Sequence, residues 1–76
     1  MSRTMIVFPM HVAILMDVTA IELGVRYAWI HTRSAGRLLP IKRDAFTSED
    51  LHPDTNAAAL ALKARQLAQY PQRGQA

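Results

Sequence analysis

The chain has 76 residues, of which half are hydrophobic, and a formal net charge of +3 from nine Lys and Arg against six Asp and Glu. This length supports one small domain with a limited core, and the apolar fraction exceeds that of a disordered tail. The absence of cysteine excludes disulfides and thiolate metal ligands. We expect a single domain over residues 1–76, with flexible ends at about 1–4 and 71–76.

The charge is spread along the chain, because no five like charges follow one another. This pattern argues against a basic tail for nucleic acid or membranes. The apolar stretch from 5 to 16 is interrupted by Pro9 and His11 and is shorter than the roughly 20 residues of a membrane span. We therefore expect no membrane association, and a cysteine-free chain fits a reducing, cytoplasmic location.

Residues 4–8 are rich in β-formers and predict a first strand. The segment 9–23 allows two interpretations. Pro9 at the start and Gly24 just past the end are the usual signals of a helix, which would give the element order βαββα. The β-branched residues within the same segment favour an additional strand instead.

From Ile21 onward, apolar and aromatic residues recur at every second position, which predicts a strand that covers at least Val25 to Thr32. One side of this pattern is the predicted core face: Ile21, Leu23, Val25, Tyr27 and Trp29. A turn at residues 34–36 then returns the chain as a second strand, so that a hairpin spans about 25–43. Pro40 cannot donate a backbone hydrogen bond, which predicts a sheet edge or a bend there.

A C-terminal helix is predicted over about 55–70, with Asp54 or Thr55 as its N-cap. Its buried stripe is expected to include Leu60 and Leu67, together with Ala57 and Ala64. The fold class is therefore α+β: a short antiparallel sheet packed by one C-terminal helix, with 9–23 as either a first helix or another strand.

No arrangement of residues predicts catalysis. The three histidines lie far apart in sequence, so none shares a helical face with another, and the acidic residues 44, 49, 50 and 54 fit helix capping. The serines lack the G-x-S-x-G turn of a nucleophile. We predict no catalytic residues, no metal site and no cofactor, and hence a protein that is not an enzyme.

The hairpin combines basic and aromatic residues, which is one pattern of nucleic-acid binding. However, Tyr27 and Trp29 fall on the predicted core face, where bases cannot stack on them. The first interpretation of these cations is therefore structural, since charge keeps the tip of a hairpin solvated, and contact with a partner protein is preferred over contact with nucleic acid. The predicted partner-binding residues are Arg26, Arg33, Arg37, Lys42 and Arg43.

In its size, its lack of cysteine and catalytic motifs, and its Ala- and Arg-rich composition, the chain resembles a broad class of small bacteriophage proteins. These proteins, among them anti-CRISPR proteins, block host machines by binding them. The resemblance implies a non-enzymatic inhibitor or adaptor whose partner is a host or regulatory protein. The alternative is a small nucleic-acid-binding or transcription-regulatory protein that uses residues 26–43. Because so small a core is marginally stable, we also expect a homo-oligomer.

Overall fold

A computed structural model of the chain describes residues 4–68, with side chains described for all of these except 53–55. The fold is a small α+β domain, as predicted, with an antiparallel sheet and a C-terminal helix. Most of the two ends predicted to be flexible lies outside the described residues, whereas Thr4 already belongs to the first strand. In chain order the elements are β1 (Thr4–Val7), α1 (Met10–Met16), β2 (Val18–Leu23), β3 (Tyr27–Thr32), β4 (Gly36–Arg37), β5 (Ile41–Lys42), a 3₁₀ turn (Arg43–Ala45) and α2 (Pro53–Leu67).

The sheet is antiparallel throughout and runs in the order β1, β2, β3, with β4 and β5 both pairing with β3. Ile6, Ile21 and Ile30 face one another across the first three strands. All three are buried, and Ile21 and Ile30 are completely inaccessible to solvent. This register places one row of branched side chains at the centre of the core.

Both helices cover the face of the sheet that carries these isoleucines. Val12 of α1 and Leu60, Ala61 and Ala64 of α2 belong to the same buried cluster as the strand residues. The alanines on α2 have no side chain beyond Cβ, so the helix lies close to its neighbours. The opposite face of the sheet is left without a helix among the described residues.

The segment 9–23 contains a helix and a strand, so each sequence interpretation is right for one half. Helix α1 ends at Met16 because Asp17 adopts a left-handed conformation with φ of 60°. The chain then extends into β2 from Val18, where β-branched residues favour a strand. The helix interpretation therefore holds as far as Met16, and the strand interpretation holds from Val18.

The predicted core face was wrong beyond Leu23, because the chain reverses at Val25 and Arg26. Gly24 donates its N–H to the carbonyl of Tyr27 over 2.8 Å, so only Val25 and Arg26 lie in the turn between this hydrogen-bonded pair. Leu23 then faces Ala28, which shifts the buried positions of β3 to even numbers.

Of the five residues predicted for that face, Ile21 and Leu23 are buried as expected. Val25 lies in the connection and is 78% exposed, whereas Tyr27 is 44% exposed. Trp29 is half-buried on the face that no helix covers. The odd-numbered apolar and aromatic residues continue to alternate through the sequence. After the chain reverses, however, the odd-numbered positions lie on the other face of the sheet.

The predicted hairpin is present, with its turn at residues 33–35. Gly36 has a positive φ of 69°, and Thr32 accepts the N–H of Ala35 through its hydroxyl oxygen. The returning strand is broken into β4 and β5 around Pro40, at the edge of the sheet, as the missing donor of proline predicts.

Helix α2 becomes regular only after Asn56, whose backbone is not helical and whose side-chain oxygen accepts the N–H of Ala59 over 3.1 Å. The sequence analysis placed this cap one or two residues too early. The helix ends at Leu67, before the predicted residue 70. Leu60 is buried as predicted, but Leu67 is 40% exposed, because the buried stripe advances in steps of four to Ala64 and then Ala68.

Asp17 joins three parts of the fold. Its carboxylate accepts hydrogen bonds from the N–H and the hydroxyl of Ser34 in the β3–β4 turn, and lies 3.8 Å from Nε of Arg65 on α2. The hydrogen bond from the Ser34 hydroxyl is the main reason that the pKa of Asp17 lies below its ordinary value, and Arg65 lowers it further. The charged form of Asp17 is therefore favoured by folding.

Replacing Asp17 by Asn tests this linkage, since Asn tolerates a positive φ but carries no charge. A folded-state pKa below the unfolded value of 3.8 gives stability that is fully present above pH 3.8 and is lost as the pH falls through the folded-state pKa. We expect Asp17→Asn to melt at a lower temperature than wild type at pH 7, and the gap to shrink at pH 3 and below. A gap that is constant with pH would contradict a role for the charge.

Candidate functional site

The face of the sheet that the helices leave uncovered, here called the open face, is the candidate functional surface. The strand register brings aromatic, acidic and basic side chains to it from four of the five strands and leaves two apolar side chains at the β1 edge. Its members are Met5, Val7, Ala20, Glu22, Tyr27, Trp29, His31, Arg37 and Lys42. An antiparallel sheet with one solvated face ordinarily carries mostly polar residues there. The large apolar and aromatic side chains on this face therefore need an explanation.

Trp29 is covered on one side by a basic side chain. The guanidinium carbon of Arg37, on the neighbouring strand, lies 4.6 Å from the centroid of the indole ring. At this distance the cation is attracted to the electron-rich ring face, an interaction worth about 0.5–1 kcal/mol at an exposed site. Arg37 thus holds Trp29 in place and occupies a ring face on which a base or a partner's side chain could otherwise stack.

An acid and a histidine form a hydrogen-bonded pair in the middle of the open face. Oε1 of Glu22 lies 3.1 Å from Nε2 of His31 on the adjacent strand. Glu22 is buried, with 8% of its surface exposed, while His31 is half-buried. The sequence analysis missed this pair. The signal for it was available, because Glu22 alternates with Ile21 and Leu23 and so had to point away from the core.

A shallow cleft of about 460 Å³ lies where the β2–β3 connection meets β5, and we call it the basic cleft. Three of its six lining residues are cationic and one is acidic: Val25, Arg26, Tyr27, Lys42, Arg43 and Asp44. Arg43 is fixed there by its own backbone N–H, which donates to the carbonyl of Arg26 over 2.8 Å. Its guanidinium also donates to the carbonyl of Gly24, over 2.8 Å. The cleft is therefore a preformed group of positive charges beside an exposed tyrosine ring.

The structure divides the five predicted partner-binding residues into two groups. Arg26, Lys42 and Arg43 meet in the basic cleft. Arg33 lies in the exposed turn at the other end of β3, and Arg37 pairs in register with His31 near that end. Sequence order could not reveal this division, since Arg37 and Lys42 lie close in sequence and their strands pair with opposite ends of β3.

The chemistry of these groups favours binding of an anion. Three cations converge on a cleft with a single carboxylate, and a guanidinium binds carboxylate or phosphate oxygens in two-point contact. Within residues 4–68, no three or more histidines and acids stand close enough to hold a metal ion. In the same part of the chain, no helix has the length and apolar character that crossing a bilayer requires.

No protein-family model matches this sequence, and comparison with curated proteins and with solved structures finds no match. The assignment of function therefore depends on the surface of the molecule itself.

Replacing Arg37 by Gln tests the geometry of the open face. The only tryptophan of the chain is Trp29, so its fluorescence reports this site alone. We expect Arg37→Gln to increase acrylamide quenching, shift the emission to longer wavelength and cost about 0.5–1 kcal/mol of unfolding free energy. The matched control is Arg33→Gln in the exposed turn. Equal quenching in wild type and both variants would show that Arg37 does not cover the ring.

Proposed function

We propose that the chain is a non-enzymatic protein-binding module whose basic cleft binds an acidic surface of a partner protein. The observation that carries the proposal is the convergence of Arg26, Lys42 and Arg43 around one preformed cleft. The exposed ring of Tyr27 and the side chain of Val25 add apolar contact area beside these charges. This mixture of aromatic, arginine and apolar groups is typical of protein interfaces.

Because side chains of the cleft are already held in place, the cleft favours a specific contact with a partner protein over nonspecific attraction by charge. Arg43 is fixed by two backbone carbonyls, so little of its conformational freedom is lost when a partner binds. Tyr27 faces Lys42 directly across the strand pair, which holds one aromatic and one cationic group side by side. Such a neighbouring pair offers a partner both a flat ring surface and a positive charge.

The resemblance to small bacteriophage proteins favours an inhibitor or adaptor, one that acts in the cytoplasm by covering an acidic surface of a host protein. A protein of this type needs no catalytic group, since occupying the surface blocks the host machine.

Binding of single-stranded nucleic acid is the second candidate, and the exposure of Tyr27 favours it. The sequence analysis discounted this function because it placed the aromatic residues in the core, and for Tyr27 that reason no longer holds. Two other features weigh against it. Arg37 occupies one face of the Trp29 ring, and the carboxylate of Glu22 lies on the open face between the basic groups. A continuous stacking platform is therefore interrupted.

Charge reversal in the cleft tests the proposal. Three tagged proteins are used to capture binding partners from a nuclease-treated bacterial lysate. They are the wild type, the double variant Arg26→Glu/Lys42→Glu and the control Arg33→Glu. We expect a captured protein to be retained by wild type and the control and lost with the double variant. Because surface charges mainly steer association, the double variant should slow binding to the purified partner by about tenfold or more, with a smaller change in dissociation.

A gel-shift titration with random-sequence single-stranded DNA and RNA tests the second candidate. Binding to these oligonucleotides that weakens steeply with salt and is lost in the double variant would replace the proposal by nucleic-acid binding. Capture that occurs from an untreated lysate and is absent from the nuclease-treated one would lead to the same conclusion. Capture that is equal for all three proteins would show that the basic cleft is not the binding site.

A further inference from the structure

Strand β1 leaves one edge of the sheet open, since among the described residues it pairs only with β2. Phe8 donates its N–H to the carbonyl of Thr19 over 2.9 Å, which shows which backbone groups face β2. Because these groups alternate in direction along a strand, those of Ile6 also face β2. The N–H and C=O groups of Met5 and Val7 therefore point outward, ready to pair with another strand.

The same two residues carry exposed apolar side chains. Met5 is 51% and Val7 is 72% exposed, both on the open face beside the edge. Helix α1 begins only three residues after Val7 and adds three more large side chains that are exposed, namely Met10, Ile14 and Leu15. The exposed apolar residues of this part of the chain thus belong to β1, beside the free edge, and to the helix that follows it.

This surface also lacks charge. No Asp, Glu, Lys or Arg occurs from 4 to 16, and His11 is the single titratable side chain there. Natural proteins commonly protect a free edge with lysine, proline or a bulge. Within the described strand, Thr4–Val7, none of these occurs, and the strand is four residues long. A ladder of four residues supplies few hydrogen bonds, so side-chain burial has to supply most of the association energy.

We propose that a second copy of this chain binds here, with the two β1 strands paired antiparallel about a twofold axis. A twofold pairing satisfies the open β1 edges of both copies with the same contacts. Charge also favours a second copy. Two chains of net charge +3 repel each other, and a contact through residues 4–16 brings no Lys or Arg of that segment into the interface.

The size of the surface is consistent with a stable dimer. A standard interface buries about 800 Å² on each partner. Met5 and Val7 contribute apolar area beside the strand edge, and the rest of this area requires that the second copy also covers the exposed side of α1, where Met10, Ile14 and Leu15 are each more than half exposed.

Pairing through β1 would join the two sheets into one continuous sheet. Strands β4 and β5 lie on the other side of β3, so the two basic clefts would stand toward the outer ends of that sheet. The dimer would then be bivalent, and its interface would not involve the cleft. This inference is therefore independent of the proposed function.

Introducing a charged residue on strand β1 tests the proposed dimer. Sedimentation equilibrium at high micromolar concentration should give wild type twice the chain mass of 8.5 kDa. We expect Val7→Lys to give a single chain mass, with an unchanged circular dichroism spectrum. The matched control is Val25→Lys, which places the same charge at a similarly exposed valine outside the surface and should remain dimeric.

Val7→Pro is a second variant that does not depend on charge. It removes the outward N–H while leaving the hydrogen bonds to β2 in place, because the N–H of Val7 does not face that strand. It should also be monomeric and folded. Wild type that sediments as a single chain would overturn the inference and leave the edge to a different partner. Folded lysine or proline variants that remain dimeric would show that the dimer uses another surface.

Discussion

Ile21 and Ile30 face each other at the centre of the sheet, and their register determines the rest of the structure. Both are fully buried, and truncating either to Ala would cost about 2–5 kcal/mol, a large fraction of the stability of a domain this small. Once these two residues face the helices, the strand geometry puts Glu22, Trp29 and His31 on the opposite face. The open face is thus a direct consequence of the packing of the core.

A sheet covered by helices on one side only has two distinct exposed regions. Near β3 and β5 the surface is basic and aromatic, and near β1 it is apolar and uncharged over the residues from 4 to 16. The partners proposed for these regions differ, since an acidic protein surface complements the first and a copy of the same chain complements the second. Their separation across the sheet would allow both to be occupied at once.

Much of the fold follows from local sequence. Gly36 follows the β3–β4 turn with a positive φ, the strand break coincides with Pro40, and the alternation of Ile21 and Leu23 identifies the core side of β2. These features depend on the conformational limits of single residues or on neighbours two positions apart, so they can be predicted without knowledge of tertiary contacts.

The predictions failed at positions where contacts between residues distant in sequence determine the backbone conformation or the strand pairing. No glycine or asparagine pair marks the turn at Val25 and Arg26, so an uninterrupted pattern led to the wrong face for Trp29. The left-handed conformation of Asp17 is stabilised by Ser34, which is distant in sequence, and this contact ends α1 early. The grouping of Arg26 with Lys42 likewise depends on how strands pair, as does the separation of Arg33 from them.

The most direct test of this account is the cross-strand register of β2 and β3, measured by nuclear Overhauser effects between Hα protons. Gly24 and Tyr27 form a hydrogen-bonded pair, so Ile21 and Ile30 form a non-hydrogen-bonded pair, in which the two Hα atoms are close. The account predicts a strong contact between the Hα protons of Ile21 and Ile30. Contacts of the Trp29 indole with the methyl groups of Leu60 and Ile21 would instead place the tryptophan in the core and contradict the open face.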